Sequence, residues 1–236
     1  MNRPGQPHLV VMLTCNDYTV ENAEEIFEQS KNSRALYWGM KEEPLDPQRM
    51  QSLYAKMRES GKRTVLEVVG YTEAEALRGA ELAEMCGCNY LMGTKFHQSV
   101  ADFCRDHGIK YMPFVGTVEG RPSVLKGSVD EIIEEAKYAV SHGAYGIDLL
   151  GYRYVGDAVT LNREVTKALA PYPVCLAGSI DSIGRLDEVM ESGAGSFTIG
   201  SAFFNNKFNG SFAEQINRVC DYLALRVAES RSCTVW

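Results

Sequence analysis

Basic residues are in the minority: 24 Lys and Arg stand against 31 Asp and Glu, a formal net charge of −7. A broad surface for nucleic acid or acidic lipid needs clustered Lys and Arg, so no nucleic-acid partner and no membrane partner is expected. A few local donors suffice for one phosphate, and a small anionic ligand stays open. No segment approaches the roughly 20 apolar residues of a membrane span. The stretch Met1 to His8 is polar and Pro-rich rather than a charged start followed by an apolar run, so no secretion signal is expected. Cysteine is present without a pattern. The seven cysteines are odd in number and irregularly spaced, a poor disulfide framework. They read as reduced thiols of a cytoplasmic protein. Cys86-Gly-Cys88 lacks the two-residue spacer of redox or zinc motifs, and no second ligand pair accompanies it. Neither a metal nor another cofactor is expected. Also missing are a low-complexity tract and any composition break that would mark a linker, so residues 1–236 read as a single domain.

What the chain does have is alternation. Short apolar, β-branched runs take turns with longer amphipathic stretches rich in Glu, Ala, Lys and Leu, the pattern of βαβ units and a parallel sheet. The expected strands are Leu9–Leu13, Ala35–Trp38, Thr64–Val69, Tyr90–Met92, Tyr111–Val115, Gly146–Leu150, Val174–Ala177 and Phe197–Ile199. A helix follows each, the third opening at Thr72 with Glu73 and Glu75 in its first turn. Eight strand-helix units within 236 residues favour a closed (β/α)8 barrel, a TIM barrel of the α/β class, over an open sheet. The longest connection, Gly116 to Ser128, follows the fifth strand, where long loops of such barrels are usually functional.

Active sites of these barrels lie at the carboxyl ends of the strands. Residues closing each strand or opening the next loop include Asn16, Asp17, Lys41, Glu67, Lys95, His97, Thr117, Asp148, Arg153, Gly178, Ser179, Gly200 and Ser201. The last four form the strongest local signal. Gly178 and Gly200 remove side chains where backbone N–H groups approach a dianion, Ser179 and Ser201 add hydroxyls, and a short helix at Ser201–Phe204 adds further N–H groups. A tight strand ending explains one Gly-Ser. Two, after strands seven and eight, point to phosphate.

Ala177-Gly-Ser-Ile-Asp181 with Thr198-Ile-Gly-Ser-Ala-Phe-Phe204 resembles the phosphate cup of the ribulose-phosphate-binding barrel superfamily, most of all the phosphoribosyl-formimino isomerases and related synthases of histidine biosynthesis. The resemblance spans roughly the last sixty residues and gives Asp17 a counterpart in those enzymes' catalytic aspartate. Their second catalytic Asp, after the fifth strand, is replaced here by Phe114-Val-Gly-Thr-Val118. The middle of the chain, Met92-Gly-Thr-Lys-Phe-His97 to Tyr111-Met-Pro-Phe-Val-Gly-Thr117, is similar to 2-keto-3-deoxy-6-phosphogluconate aldolases. Asp148 stands where their Schiff-base lysine would be.

Three functions follow. In the first, an isomerase or carbon–carbon lyase moves protons next to the carbonyl of a small phosphorylated sugar or related compound. Asp17 and Asp148 act as acid and base and Lys95 polarises the carbonyl. In the second, Lys95 forms a Schiff base with Glu67 and Asp17 as proton-transfer partners, a layout similar to that of transaldolase-type aldolases, and burial or a nearby cation such as Lys41 lowers its pKa. In the third, the barrel binds a phosphometabolite without catalysis. Asn16, Lys41, His97, Thr117 and Arg153 are the expected substrate-binding residues, though His97 reads equally well as a solvated loop residue. Lys95 or Arg153 is the expected partner of Asp148, and an ion pair of Lys95 with Glu67 or Asp148 is the structural alternative. The partner is a small phosphorylated metabolite, and a homo-oligomer is compatible with everything above.

Overall fold

The computed structural model describes residues 6–232. Met1–Gly5 and Cys233–Trp236, which carry part of the polar start and the seventh cysteine, lie outside the described residues. Eight strands form the barrel: β1 (His8–Met12), β2 (Tyr37–Lys41), β3 (Arg63–Val68), β4 (Tyr90–Lys95), β5 (Lys110–Phe114), β6 (Ile147–Leu149), β7 (Val174–Leu176) and β8 (Ser196–Ile199). Each pairs in parallel with its sequence neighbours, and β8 closes the ring on β1 with Val10 opposite Thr198. The chain is the expected α/β barrel.

Helices α1 (Ala23–Ser30), α2 (Pro47–Glu59), α3 (Glu73–Met85), α4 (Gln98–Asp106), α5 (Val129–Ser141), α6 (Ala158–Leu169) and α7 (Ile183–Ser192) cover the outside. After β8 come the short α8 (Ser201–Phe204) and the long α9 (Phe212–Ser232). Their starts obey local chemistry. Thr72 and Glu75 form a reciprocal capping box on α3, and Ser128 and Glu131 do the same on α5. Asp46 accepts from two N–H groups of α2, whose first residue, Pro47, has no N–H to leave unpaired. Among the described residues no helix is long and apolar enough to cross a membrane.

Strand alternation sorts the side chains into two layers. Leu9 and Val11 of β1, and Leu13 just after it, face the helices, where Phe27, Trp38, Tyr54, Leu66 and Phe197 are fully buried. Val10, Met12, Val65, Met92, Met112 and Cys175 point into the lumen. Among the described residues the cysteines are free thiols, and burial pushes those of Cys86 and Cys104 up to about 11 and about 12, which keeps them unreactive.

Two antiparallel hairpins were not legible as strands. One joins Thr14–Cys15 to Tyr18–Thr19, directly after β1. The other joins Thr117–Glu119 to Val124–Lys126 and occupies the long loop after β5. The fourth strand also runs three residues further than expected, to Lys95, across a register break between Met92 and Lys95.

Because α3 depends on its capping box, Thr72→Ala should destabilise the protein by about 1 kcal/mol in urea unfolding. Thr72→Ser, which keeps the acceptor oxygen, should cost much less. Equal losses for the two substitutions would show that the box contributes nothing.

Candidate active site

The carboxyl ends of the strands surround a pocket of about 470 Å3. Its floor is charged. The turn of the first hairpin places Asn16 and Asp17 in left-handed backbone conformation, with φ of 50° and 66°. This folds the Asp17 side chain down into the mouth, where the residue is only 5% exposed. There its carboxylate meets four donors. Arg153 grips it through both oxygens at 2.7 and 2.8 Å. Ser123 N–H donates at 3.1 Å, and the Lys41 ammonium lies 3.4 Å away. Lys41 in turn pairs with Glu67 at 3.0 Å. Lys41 closes β2 and Glu67 lies opposite it on β3, so strand register itself builds the pair.

The quartet fixes its own protonation. Burial works to raise the Asp17 carboxyl, but the Arg153 hydrogen bond and the Lys41 and Arg153 charges outweigh it and hold it well below the usual carboxylate range. Burial works to lower Lys41, and the charges of Glu67 and Asp17 reverse this, leaving its pKa raised. Arg153 likewise stays charged against its burial, through Asp17. Asp17 is thus a saturated acceptor and a poor base, whereas Lys41 is a firm cation able to polarise a carbonyl.

The wall above the floor is made by the turns after β7 and β8. Gly178 has φ of 83°, and a Cβ there would lie 2.6 Å from Arg153 Cγ. The missing side chain lets Arg153 cross the turn to reach Asp17. At Gly200 a Cβ would come within 2.7 Å of the Thr14 carbonyl oxygen, so glycine permits the close approach of β8 to the first hairpin. Asn16 N–H donates to Ser201 Oγ at 3.0 Å, which leaves the Ser201 hydroxyl hydrogen for another acceptor. Asn16, Asp17, Lys41, Glu67, Arg153, Gly178, Ser179, Gly200 and Ser201 all line this one pocket.

Sequence reasoning missed Lys207, Asn205 and Ser123, which also line it. Lys207 is exposed and forms no ion pair among the described residues. Its position six residues past Ser201, in the Asn- and Gly-rich turn ending at Gly210, was the available signal. Ser123 arrives with the second hairpin, which folds over the mouth and is tied down. Arg121 pairs with Glu42 and Glu43 and stacks 4.4 Å from the Tyr18 ring, while Arg153 Nη1 donates to Ser123 O at 3.4 Å. Arg121 is therefore a tether of the hairpin.

Four expected residues sit elsewhere. Lys95 lies three positions beyond the lumen-facing Met92, so alternation turns it out of the ring of strands toward α5. Its ammonium binds Glu135 and donates to Gly116 O. It pairs with neither Glu67 nor Asp148. Thr117 sits beside it on that outer surface, and His97 occupies the N-cap of α4. Asp148 points inward as expected but is completely buried in the lumen, beneath the pocket rather than across its mouth. Its only polar contact among the described residues is a weak one from the Gly93 N–H, so the expected pairing with Lys95 or Arg153 is absent. Burial, with the charge of Glu67 nearby, pushes its pKa well above the carboxylate range. Among the described residues no group of three or more His, Cys, Asp or Glu is placed to hold a metal ion.

No family model and no curated protein matches the sequence. Solved structures do match the fold. Orotidine 5'-phosphate decarboxylase from Pyrococcus horikoshii superposes with a TM-score of 0.69 at 13% identity, over 92% of this chain and 99% of that one. The native KDPGal structure gives 0.67 at 13%, over 93% and 96%. A glycerol uptake operon antiterminator regulatory protein from Listeria monocytogenes gives 0.58 at 14%, over 84% and 93%. At such identities the likeness is one of fold alone, the closed (β/α)8 barrel.

The state of Asp148 has a consequence for stability. The native protein keeps its proton, and the unfolded chain loses it above about pH 4. The native state therefore binds more protons, so this residue makes stability fall as pH rises through neutrality. Asp148→Asn is neutral in both states and removes the decline. Urea unfolding should show the variant gaining on the parent between about pH 5 and 8, by at most about 1.4 kcal/mol per pH unit. A constant difference would mean that Asp148 is ionised in the lumen.

Proposed function

We propose that the mouth pocket binds a small phosphorylated sugar or related carbonyl compound and transfers a proton next to its carbonyl, as an isomerase or carbon–carbon lyase. One observation carries this reading: two Gly-Ser turns and a buried ammonium–carboxylate pair converge on a single pocket. The volume, about 470 Å3, suits a ligand of three to six carbons with one phosphate.

In this reading the phosphate rests on the backbone N–H groups and hydroxyls of residues 178–179 and 200–201, with the Lys207 ammonium at the rim. The carbonyl end descends to the floor, where Lys41 stabilises negative charge developing on the oxygen of an enediolate. Glu67 is the proton carrier, since it is the carboxylate of the floor that Arg153 does not grip. Asp17 holds Lys41 and Arg153 in place. A Schiff base has no support at either lysine: Lys95 is outside the pocket, and the charges around Lys41 favour its protonated, non-nucleophilic form.

A thermal-shift screen of three- to six-carbon sugar phosphates against their unphosphorylated analogues tests the binding half. Ligands of the native state raise the melting temperature, so phosphorylated members alone should do so, and Ser201→Asp should abolish the shift. Stabilisation by unphosphorylated analogues equally well would remove the phosphate assignment. For a substrate found this way, Glu67→Gln should lower kcat by about two to four powers of ten while leaving ligand-induced stabilisation in place. Unchanged kcat would exclude Glu67 as the proton carrier. Binding of every candidate with turnover of none would favour the non-catalytic phosphometabolite barrel.

A further inference from the structure

Among the described residues the opposite end of the barrel is not closed. At the amino-terminal ends of the strands lies a second cavity of about 430 Å3, separate from the mouth pocket. Its inner wall is apolar: Val10, Val65, Met92 and Met112 present lumen-facing side chains. Its rim is aromatic. His8, Tyr37, Tyr90 and Tyr145 form a chain of neighbouring rings with centroids 5.2, 5.9 and 6.1 Å apart, the two tyrosine pairs meeting edge to face. Such packing holds the rings in place and turns some of their faces and hydroxyls toward the opening.

One charge stands in this rim. The Lys110 ammonium lies 4.5 Å from the Tyr145 ring centroid and 5.2 Å from that of Tyr90. It donates to both phenol oxygens, at 3.4 and 3.3 Å. It has no carboxylate partner, and no Asp or Glu lines the cavity among the described residues. In a chain of net charge −7, an ammonium left without a counter-ion beside an apolar hole is a complementary surface for an anion. A single cation flanked by two phenols matches a monoanion. The Val and Met wall behind it matches an apolar body.

We propose that this amino-terminal cavity is a second binding site, taking a small carboxylic acid with an apolar, preferably aromatic, body. The carboxylate meets Lys110 and the Tyr90 and Tyr145 hydroxyls, and the body enters the lumen between Met92 and Met112. The site is independent of the function proposed for the mouth, because it shares no lining residue with that pocket.

The test uses 3-phenylpropionate as probe, with 3-phenylpropionamide and acetate as controls, on the full chain carrying 13C-methyl methionine. The probe should shift the Met92 and Met112 methyl signals and spare Met12, which lines the mouth. The amide lacks the charge and acetate lacks the body, so each should bind about tenfold or more weakly. Lys110→Met should erase the preference for acid over amide, and Lys110→Arg should retain it. Val65→Phe, which fills the lumen, should block the probe. If that variant does not fold, the exposed Lys110 substitutions decide the matter. Unmoved Met92 and Met112 signals, or equal binding of acid and amide to the parent protein, would overturn the proposal. Inorganic phosphate distinguishes the two ends, since it should perturb Met12 without displacing the probe.

Discussion

The salt-bridged carboxylate of Asp17 is the contact on which the mouth of this barrel depends. Taking ions out of water costs several kcal/mol each, and only close opposite charges with satisfied hydrogen bonds offset it. Here each carboxylate faces a cation and each cation a carboxylate, through Glu67, Lys41, Asp17 and Arg153. The four residues come from four different strand ends or loops, and Ser123 brings in a fifth by donating to Asp17. Loops that would otherwise move separately are thereby held as one rim. The two Gly-Ser turns share in this, because Gly178 gives Arg153 its path and Ser201 anchors the turn that presents Asp17.

The two ends of the barrel carry different chemistry on the same lumen. The mouth is built of paired charges and backbone turns, suited to a polar anion that must be oriented. The amino-terminal end is built of methionine, valine and tyrosine with one ammonium, Lys110, that has no carboxylate partner among the described residues. Between them sits Asp148, fully buried and with no side-chain hydrogen-bond partner among the described residues. As a neutral acid it adds no charge to the lumen, which leaves the quartet above it balanced at two positive and two negative groups.

Much of the fold was legible in the sequence because it rests on local patterns. Alternating apolar runs and amphipathic stretches set the eight units, and Thr72-Glu73-Ala-Glu75 marked a helix start that proved to be a capping box. The Gly-Ser pairs were legible as turns at the ends of β7 and β8, while the packing reason for each glycine, room for Arg153 at Gly178 and for the Thr14 carbonyl at Gly200, was not. Contacts between distant segments were not. Asp17 and Arg153 are 136 residues apart, and nothing local to either announces the pairing. Lys95 was misread because its strand was ended at Met92, whereas the chain continues through a register break and alternation turns the lysine outward. Asp148 was read at the correct face but the wrong depth, since period-two logic gives the side of a strand and not the height along the barrel axis. The hairpin lid stayed hidden because three-residue strands around a Gly-Arg-Pro turn carry too little pattern to distinguish them from loop.

Backbone amide NMR of the full chain titrated with a triose phosphate addresses the central claim most directly. The account predicts that the largest shifts fall on the N–H groups of Gly178, Ser179, Gly200 and Ser201, with smaller ones at Asn16 and Asp17 through the Ser201 contact. Saturable shifts confined to other parts of the chain, or none at all, would contradict a phosphate cup at this mouth.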